Sequence, residues 1–234
     1  MGKGFNMEAI VLAGGLGTRL RGVINDVPKP MAPVGKYPFL TYLLNYLWKQ
    51  GVKKVILSVG YKHEIIQNYY GDLFKDMTLK YSIEEELLGT GGAIKQSMEF
   101  VEGKYSFVLN GDSFFDVNLS HMNKTHLENN ADITMSLKKM YNFDRYGTVE
   151  VDNSRIISFK EKKHVKSGFI NGGIYLINKK VFETIPTGQK FSIEVDFFQK
   201  YSENLKIIPF ISDGYFIDIG LPEDYKRAQS ELVL

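Results

Sequence analysis

The sequence predicts an α/β fold built on a mixed, mostly parallel sheet with helices on both faces. In the first half of the chain, short apolar stretches alternate with stretches of helical periodicity. After residue 131 the pattern becomes mixed and includes the signal of a β-hairpin. The chain has 234 residues, of which 44% are hydrophobic and 24% charged, so it can bury one substantial core.

The elements of the first half are short apolar strands separated by helices. The strands are predicted at residues 8–13, 54–59, 79–84 and 105–110, and the helices at 39–50, 62–70 and 92–101. Strands that alternate with helices in this way pair in parallel, and ligands then bind at their carboxyl ends.

The second half is predicted to contain more strands than helices. The strands are expected at residues 131–137, 169–177 and 205–210, a hairpin at 147–151 and 155–159, and a helix at 192–201. Pro222 opens the last helix, because proline is favoured at the first helical position. No internal repeat or long linker interrupts the pattern, so one domain over residues 1–234 is expected.

Composition excludes several functional classes. The net charge is +2 and there is no basic run, so neither nucleic acid nor a membrane is an expected partner. The absence of cysteine excludes disulfides, thiolate zinc sites and cysteine nucleophiles. The four histidines lack the spacing of a metal-binding helix. No stretch approaches about 18 apolar residues, and we expect a cytoplasmic protein.

The most informative segment is LAGGLGTRLRGVINDVPKPMAPVGKYPF, residues 12–39. Its glycines allow backbone N–H groups to approach a polyanion closely, and its arginines offer phosphate a fork of donors. These residues are Gly14, Gly15, Gly17, Arg19 and Arg21. Two prolines, at 28 and 30, restrict the backbone around Lys29 and help to aim its charge. The segment therefore predicts a site for a nucleoside triphosphate.

Two common phosphate motifs do not match this segment. The dinucleotide fingerprint GxGxxG lacks its third glycine here, and no GxxxxGK[ST] P-loop occurs. Over its whole length the segment instead resembles the signature of the sugar-nucleotide pyrophosphorylases. These nucleotidyltransferases join a nucleoside triphosphate to a sugar 1-phosphate on a Rossmann-like sheet of the nucleotide-diphospho-sugar transferase type.

The resemblance divides the chain into a nucleotide half, about 7–112, and a sugar half, about 113–234. The β-helix domain that some members append is not expected here. The resemblance implies catalytic roles for Arg19 and Lys29. The nucleotide contacts that it implies are Leu12, Ala13, Gly14, Gly15, Gly17, Thr18, Glu84, Gly89 and Thr90.

Glu84 is the residue expected to read the base. It lies five positions before Gly89, at the position where the family contacts the base. A carboxylate accepts two parallel hydrogen bonds, which suits the ring N–H and exocyclic amine of guanine. Backbone groups near Leu12 can also read the base, so Glu84 indicates only a weak preference for guanine.

Asp112 and Asp218 resemble the two metal-ligand positions of the family, in NGDSFF and YFIDIG. Phe216 stands where many members have tryptophan, which does not affect the ligand itself. Mg²⁺ is commonly held by one or two carboxylates together with substrate phosphates. We therefore expect Mg²⁺ as the cofactor, held by these two aspartates.

The sugar half contains a further set of polar residues that match family positions. The resemblance implies sugar or sugar-phosphate contacts for Gly147, Glu161, Lys162, Asn171 and Glu194. Taken alone, these residues read as a hairpin glycine, solvated charges, a turn asparagine and a helix-surface glutamate.

The expected reaction is NTP plus sugar 1-phosphate giving NDP-sugar plus pyrophosphate. The LGTGGA loop and residues 27–39 most resemble the D-glycero-α-D-manno-heptose 1-phosphate guanylyltransferases, which serve surface polysaccharides such as capsule or lipopolysaccharide. Mannose 1-phosphate guanylyltransferases and uridylyltransferases acting on amino-sugar phosphates are the alternatives within the family. A catalytically silent sugar-nucleotide binder and a glycosyltransferase are the alternatives outside it. GTP and a sugar 1-phosphate are the expected partners, and a homodimer is one option.

Overall fold

The computed structural model describes residues 7–15, 27–201 and 204–234. Its strands are β1 Glu8–Leu12, β2 Pro33–Val34, β3 Tyr37–Pro38, β4 Lys54–Val59, β5 Leu73–Phe74, β6 Met77–Ile83, β7 Tyr105–Asn110, β8 Ser113–Phe115, β9 Ile133–Phe143, β10 Thr148–Asp152, β11 Arg155–Lys160, β12 Val165–Asn178, β13 Ile207–Ile211 and β14 Phe216–Asp218. Its α-helices are α1 Phe39–Lys49, α2 His63–Tyr70, α3 Gly89–Ser97, α4 Leu119–Glu128, α5 Gln199–Tyr201 and α6 Pro222–Glu231. A π-helix spans Ile193–Phe198 and a 3₁₀ helix spans Lys29–Met31.

The central sheet is parallel in the middle and antiparallel on one side. In the described residues its strand order is β11-β10-β12-β7-β1-β4-β6-β5, and β9 pairs with both β12 and β13. Strands β7, β1, β4 and β6 are parallel neighbours, whereas β12 runs antiparallel to β7. This confirms the predicted mixed, mostly parallel sheet.

Two apolar clusters lie on opposite faces of this sheet. Ala9 and Val11 of β1 pack into one cluster together with Leu40 of α1. The residue between them, Ile10, packs into the other cluster with Ile94 of α3. Since successive side chains of a strand point to opposite faces, helices cover the sheet on both sides, as predicted. No helix in the described part of the chain has the length and apolarity needed to cross a bilayer.

Helix α3 begins three residues before its predicted start at residue 92. Its first turn contains Gly89, Gly91 and Gly92, which lower intrinsic helix propensity and suggested a loop. The N–H groups of Gly91 and Gly92 donate to the Phe191 carbonyl oxygen at 2.9 and 3.4 Å. This tertiary contact overrides the local propensity.

Strands β9 and β12 extend well beyond their predicted ends. They pair antiparallel from Val165 opposite Phe143 to Ile177 opposite Ile133, so each supports the other over its polar part. The predicted hairpin of β10 and β11 is confirmed. Asn153 and Ser154 in its turn have φ of 44° and 62°, as a tight two-residue hairpin turn requires.

Candidate active site

A cavity of about 640 Å³ opens at the carboxyl ends of β1 and β7, where Leu12 and Asn110 line it. Ligands of α/β sheets bind at this edge, so the cavity lies where the sequence places it. Among the residues singled out from sequence, those that line the cavity are Leu12, Gly14, Gly15, Lys29, Glu84, Gly89, Thr90, Asp112 and Glu194.

Lys29 brings a positive charge to the wall of this cavity. It is the first residue of the 3₁₀ helix Lys29–Met31, and Pro28 before it has φ −57° and ψ 146°. The Lys29 side chain is only 11% exposed, and its Nζ donates to Asp112 Oδ2 at 2.6 Å. Because the ammonium is nearly buried, water screens its charge less than that of an exposed lysine.

Asp112 and Asp218 are brought together by the pairing of β8 with β14. Ser113, next to Asp112, is paired with Asp218, and the Ile219 N–H donates to the Asp112 carbonyl oxygen at 2.9 Å. A Cβ on Gly220 would lie 2.8 Å from Asp218 Oδ1 and 3.0 Å from Lys29 Nζ, so both groups pack against this glycine. In residues 7–15, 27–201 and 204–234, no third acidic or histidine side chain completes a metal cluster.

Glu84 lies after β6 on the side of the cavity formed by Gly14. Its Oε2 accepts from the Leu88 N–H at 3.0 Å and its Oε1 from the Ser58 hydroxyl at 3.4 Å. Burial raises the pKa of Glu84, and these two hydrogen bonds partly oppose the rise. A Cβ on Gly14 would lie 2.8 Å from Oε1, so a larger residue at this position would displace the carboxylate. A carboxylate has about four acceptor positions, so both oxygens can still accept from a ligand.

The segment 189–194 covers the N-terminus of α3. The Phe191 N–H donates to the Leu88 carbonyl oxygen at 3.0 Å. The Thr90 hydroxyl donates to Glu194 Oε2 at 2.9 Å and accepts from the Ile193 N–H at 2.9 Å. Two of the residues that line the cavity are therefore fixed to each other across 104 positions of sequence.

The profile of the family described as "Nucleotidyl transferase" matches residues 8–233, nearly the whole chain. This chain belongs to the nucleotidyl transferase family. The match confirms the resemblance drawn from residues 12–39.

Individual proteins with similar sequences or structures are more specific than the family profile. The D-glycero-alpha-D-manno-heptose 1-phosphate guanylyltransferase of Aneurinibacillus thermoaerophilus is 51% identical over 97% of this chain and 98% of its own length. The enzyme of the same name from Campylobacter jejuni is 52% identical over 94% of this chain and 97% of its own length. The crystal structure of HddC from Yersinia pseudotuberculosis complexed with GMP-PN has a TM-score of 0.85 and 37% identity, and the match covers 96% of this chain and 99% of that one.

In this nucleotidyl transferase the loop before β10 packs beside the aspartate pair. Burial, followed by the charge of Asp218, raises the pKa of Tyr146 to about 12. The preceding Arg145 donates to the buried Asp224 of α6 at 2.8 Å, which anchors the loop. A Cβ on Gly147 would collide with the Lys160 carbonyl oxygen, so this glycine permits a close backbone approach.

The other predicted sugar contacts lie outside the lining of the cavity. Glu161 and Lys162 are exposed after β11 and do not line the cavity. Asn171 is half-buried in β12, where its Nδ2 donates to the Tyr175 hydroxyl at 2.7 Å. The roles of these residues stay predictions.

Gly17, Thr18, Arg19 and Arg21 lie outside the described residues. Ala13 is described and is 1% exposed, with its N–H donating to the Ser58 carbonyl oxygen at 2.7 Å. Ala13 thus lies behind the cavity wall.

Sequence reasoning missed several residues of this site. Lys190 and Asn110 line the cavity, and the fully buried Ser58 holds Glu84. Tyr175, also fully buried, contacts Asn171. Asn110 was detectable, because it ends a strand two residues before Asp112. Lys190, Ser58 and Tyr175 carry no signal in the sequence, since only tertiary packing brings them to the site.

Proposed function

We propose that this nucleotidyl transferase joins GTP to D-glycero-α-D-manno-heptose 1-phosphate, giving GDP-heptose and pyrophosphate. The observation that carries the proposal is one cavity lined by Lys29, Asp112 and Glu84 together. Lys29 suits the phosphates of a nucleotide, and Glu84 suits a base. The high identity to two heptose 1-phosphate guanylyltransferases supports the choice of substrates.

The chemistry needs alignment and charge stabilisation more than proton transfer. A sugar 1-phosphate is an anionic nucleophile near neutral pH, so it can attack the α-phosphate of GTP without a general base. The enzyme then has to hold the two in line and stabilise the added negative charge of the transition state. Lys29 supplies one positive charge in the cavity, and Arg19 and Lys162 are the further cations that we assign to this task.

The residues present fit a bound Mg²⁺. Asp112, in the turn before β8, and Asp218, at the end of the paired strand β14, offer two hard carboxylate ligands. Mg²⁺ typically completes its shell with water and substrate phosphates. When bound there, the ion would offset charge on the phosphate oxygens. Lys29 already pairs with Asp112 at 2.6 Å, so the metal site and the lysine share this carboxylate.

Glu84 supports guanine as the base. Leu88 and Ser58 hold its two oxygens in place, and guanine offers two parallel donors to such an edge. Uracil and thymine offer one N–H between two acceptors. Mannose 1-phosphate remains the alternative sugar, because no residue is assigned to the extra carbon of the heptose.

The test is pyrophosphate release measured for four nucleotides against heptose, mannose and amino-sugar 1-phosphates. We expect the highest kcat/KM with GTP and the heptose 1-phosphate, and no release without a sugar phosphate. A preference for mannose 1-phosphate would overturn the heptose assignment and leave the reaction class intact. Faster reaction with UTP would contradict the role of Glu84. Three further points stay predictions from the sequence. They are a cytoplasmic location, a role in the synthesis of surface polysaccharides, and a homodimer as one option.

A further inference from the structure

Strand β12 contains an irregularity that brings two of its side chains into contact. Its register with β9 shifts between Asn171 and Tyr175, and Gly173 within the shift has φ 75°. The Gly173 N–H donates to Asn171 Oδ1 at 3.0 Å. In a regular strand, residues four apart are separated by about 13 Å. Here Asn171 Nδ2 donates to the Tyr175 hydroxyl at 2.7 Å.

The Tyr175 hydroxyl is buried between two polar groups. Its side chain is 0% exposed, and its ring packs on Phe198 with centroids 5.3 Å apart. The Tyr175 oxygen accepts from Asn171, and the Glu194 carboxylate is close enough to act electrostatically on the same hydroxyl. Burial, followed by the charge of Glu194, raises the pKa of Tyr175 well above its ordinary value, so the group remains a neutral donor.

Glu194 continues the network to the cavity. Its Oε2 accepts from the Thr90 hydroxyl at 2.9 Å and from the Ser192 hydroxyl at 3.1 Å. Thr90 and Glu194 both line the cavity, and Thr90 belongs to the first turn of α3. Two hydrogen-bonded pairs, Asn171–Tyr175 in the sugar half and Glu194–Thr90 at the cavity, are therefore joined through the electrostatic interaction of Tyr175 with Glu194.

We propose that Tyr175 is a positioning residue whose hydroxyl couples sugar 1-phosphate binding at Asn171 to nucleotide binding at Thr90. This inference rests on the proposed function. A ligand that orders Asn171 fixes the Tyr175 hydroxyl, and that hydroxyl fixes the carboxylate that orients Thr90. Each substrate then binds to a site that the other has partly ordered, and such coupling is reciprocal.

The test is Tyr175→Phe, which removes the hydroxyl and keeps the ring. Affinity for a GTP analogue whose α,β-bridge cannot be cleaved is measured by calorimetry with and without a saturating sugar 1-phosphate. The sugar is whichever of the heptose and mannose compounds the wild type turns over. The ratio of the two affinities is the coupling factor. We expect the wild-type factor to fall about three- to tenfold toward one, the range that one buried hydrogen bond contributes. Affinity for the analogue alone should change little.

Tyr70→Phe is the matched control. The Tyr70 hydroxyl is also buried and bonds the Thr41 hydroxyl at 2.7 Å, but it belongs to α2 and contacts none of the four residues. Loss of the Tyr70 hydroxyl should lower the free energy of unfolding and leave the coupling factor unchanged. In a double-mutant cycle, Tyr175→Phe and Thr90→Val should be non-additive, because both hydroxyls act through Glu194.

Two results would overturn the inference alone: an unchanged coupling factor in active Tyr175→Phe, or an equal fall in Tyr70→Phe. If Tyr175→Phe does not fold, Thr90→Val alone must lower the factor, or the inference is wrong. A wild type that turned over neither sugar 1-phosphate would instead contradict the proposed function, and this inference with it.

Discussion

Lys29 illustrates how much of this site depends on the placement of single side chains. Its ammonium is held by Asp112 at 2.6 Å and stands on a segment that prolines restrict on both sides. A charge fixed in this way costs little reorganisation when negative charge develops nearby. On the proposed mechanism, we expect it to stabilise the transition state more than the bound substrate.

Lys29→Met should accordingly lose most turnover and keep much of its nucleotide affinity. We expect kcat to fall about 10²-fold or more, by analogy with other electrostatic contacts removed from active sites. Steady-state kinetics and nucleotide titration separate the two effects. Lys36→Met is the control, since Lys36 is exposed in the same segment. Wild-type turnover in Lys29→Met would remove this residue from the mechanism.

Glu84→Gln should narrow the preference for GTP over UTP. The amide replaces a two-acceptor edge by one acceptor and one donor, and a mismatched hydrogen bond costs about 1 to 3 kcal/mol, or roughly ten- to a hundredfold in kcat/KM. Glu85→Gln, an exposed neighbour, should leave the ratio unchanged. If Glu84→Gln and Glu85→Gln show the same ratio of kcat/KM for GTP over UTP, Glu84 does not read the base.

His126 on α4 is predicted to make stability depend on pH. It is 2% exposed, and burial lowers its pKa to about 4, with smaller effects from Asp132 and Lys180. Between about pH 6.5 and 4 the unfolded chain binds the proton more readily, so stability is lost as pH falls through this window. The full loss is on the order of 3 kcal/mol.

Urea unfolding of the wild type and His126→Gln at several pH values checks this prediction. The wild type should lose stability toward acid faster than the variant. His121→Gln is the control, because His121 is exposed on the same helix. Parallel curves for the wild type and His126→Gln would show that His126 takes up no proton on unfolding.

At the scale of elements, the N-terminus of α3 and the π-helix Ile193–Phe198 act as one unit. Backbone hydrogen bonds join Phe191 to Leu88 and Gly91, and Thr90 joins Glu194. π-Helices are frequent at functional sites. The glycines of α3 allow the 189–194 segment to approach closely, and this contact shapes the cavity wall.

Gly91→Ala tests that packing. In an exposed helix interior this change stabilises by about 1 kcal/mol. Here the added Cβ would overlap the Phe191 ring, so we expect a destabilisation of about 1 to 3 kcal/mol and weaker nucleotide binding. Adding Phe191→Leu should restore part of the loss. Thermal unfolding measures both variants, and a stabilised Gly91→Ala would show that the segment is not packed against α3.

Sequence reasoning succeeded for elements that local pattern determines. Strand β7 was predicted at its observed bounds, because an apolar run ends there in a polar turn. The helix predicted at 192–201 is instead a π-helix followed by the short α5, and the Ile193 N–H at its start donates to Thr90, which is distant in the sequence. Family resemblance marked Lys29 and Asp112, but it could not show that the two form a salt bridge.

At the scale of the whole molecule, the aspartate pair joins segments far apart in the chain. Asp112 follows β7 in the centre of the sheet, and Asp218 ends β14 just before α6. Asp112→Asn and Asp218→Asn should each raise the Mg²⁺ concentration needed for half activity, since an amide is a poorer ligand for a hard dication. The fold should survive both changes.

Asp213→Asn is the control for these variants, because Asp213 is exposed five residues before Asp218. Activity is titrated with Mg²⁺ at saturating substrates, and circular dichroism verifies folding. If either variant shows the wild-type titration, that aspartate serves a structural role and the metal assignment is wrong.

The pairing of β14 with β8 also bears on how the enzyme is made. Asp218 reaches the site only when β14 has been synthesised and has docked, about a hundred residues after β8 leaves the ribosome. A nascent chain that ends before β14 lacks one of the two carboxylates. On the proposed metal assignment, we expect such a fragment to be unable to consume nucleotide.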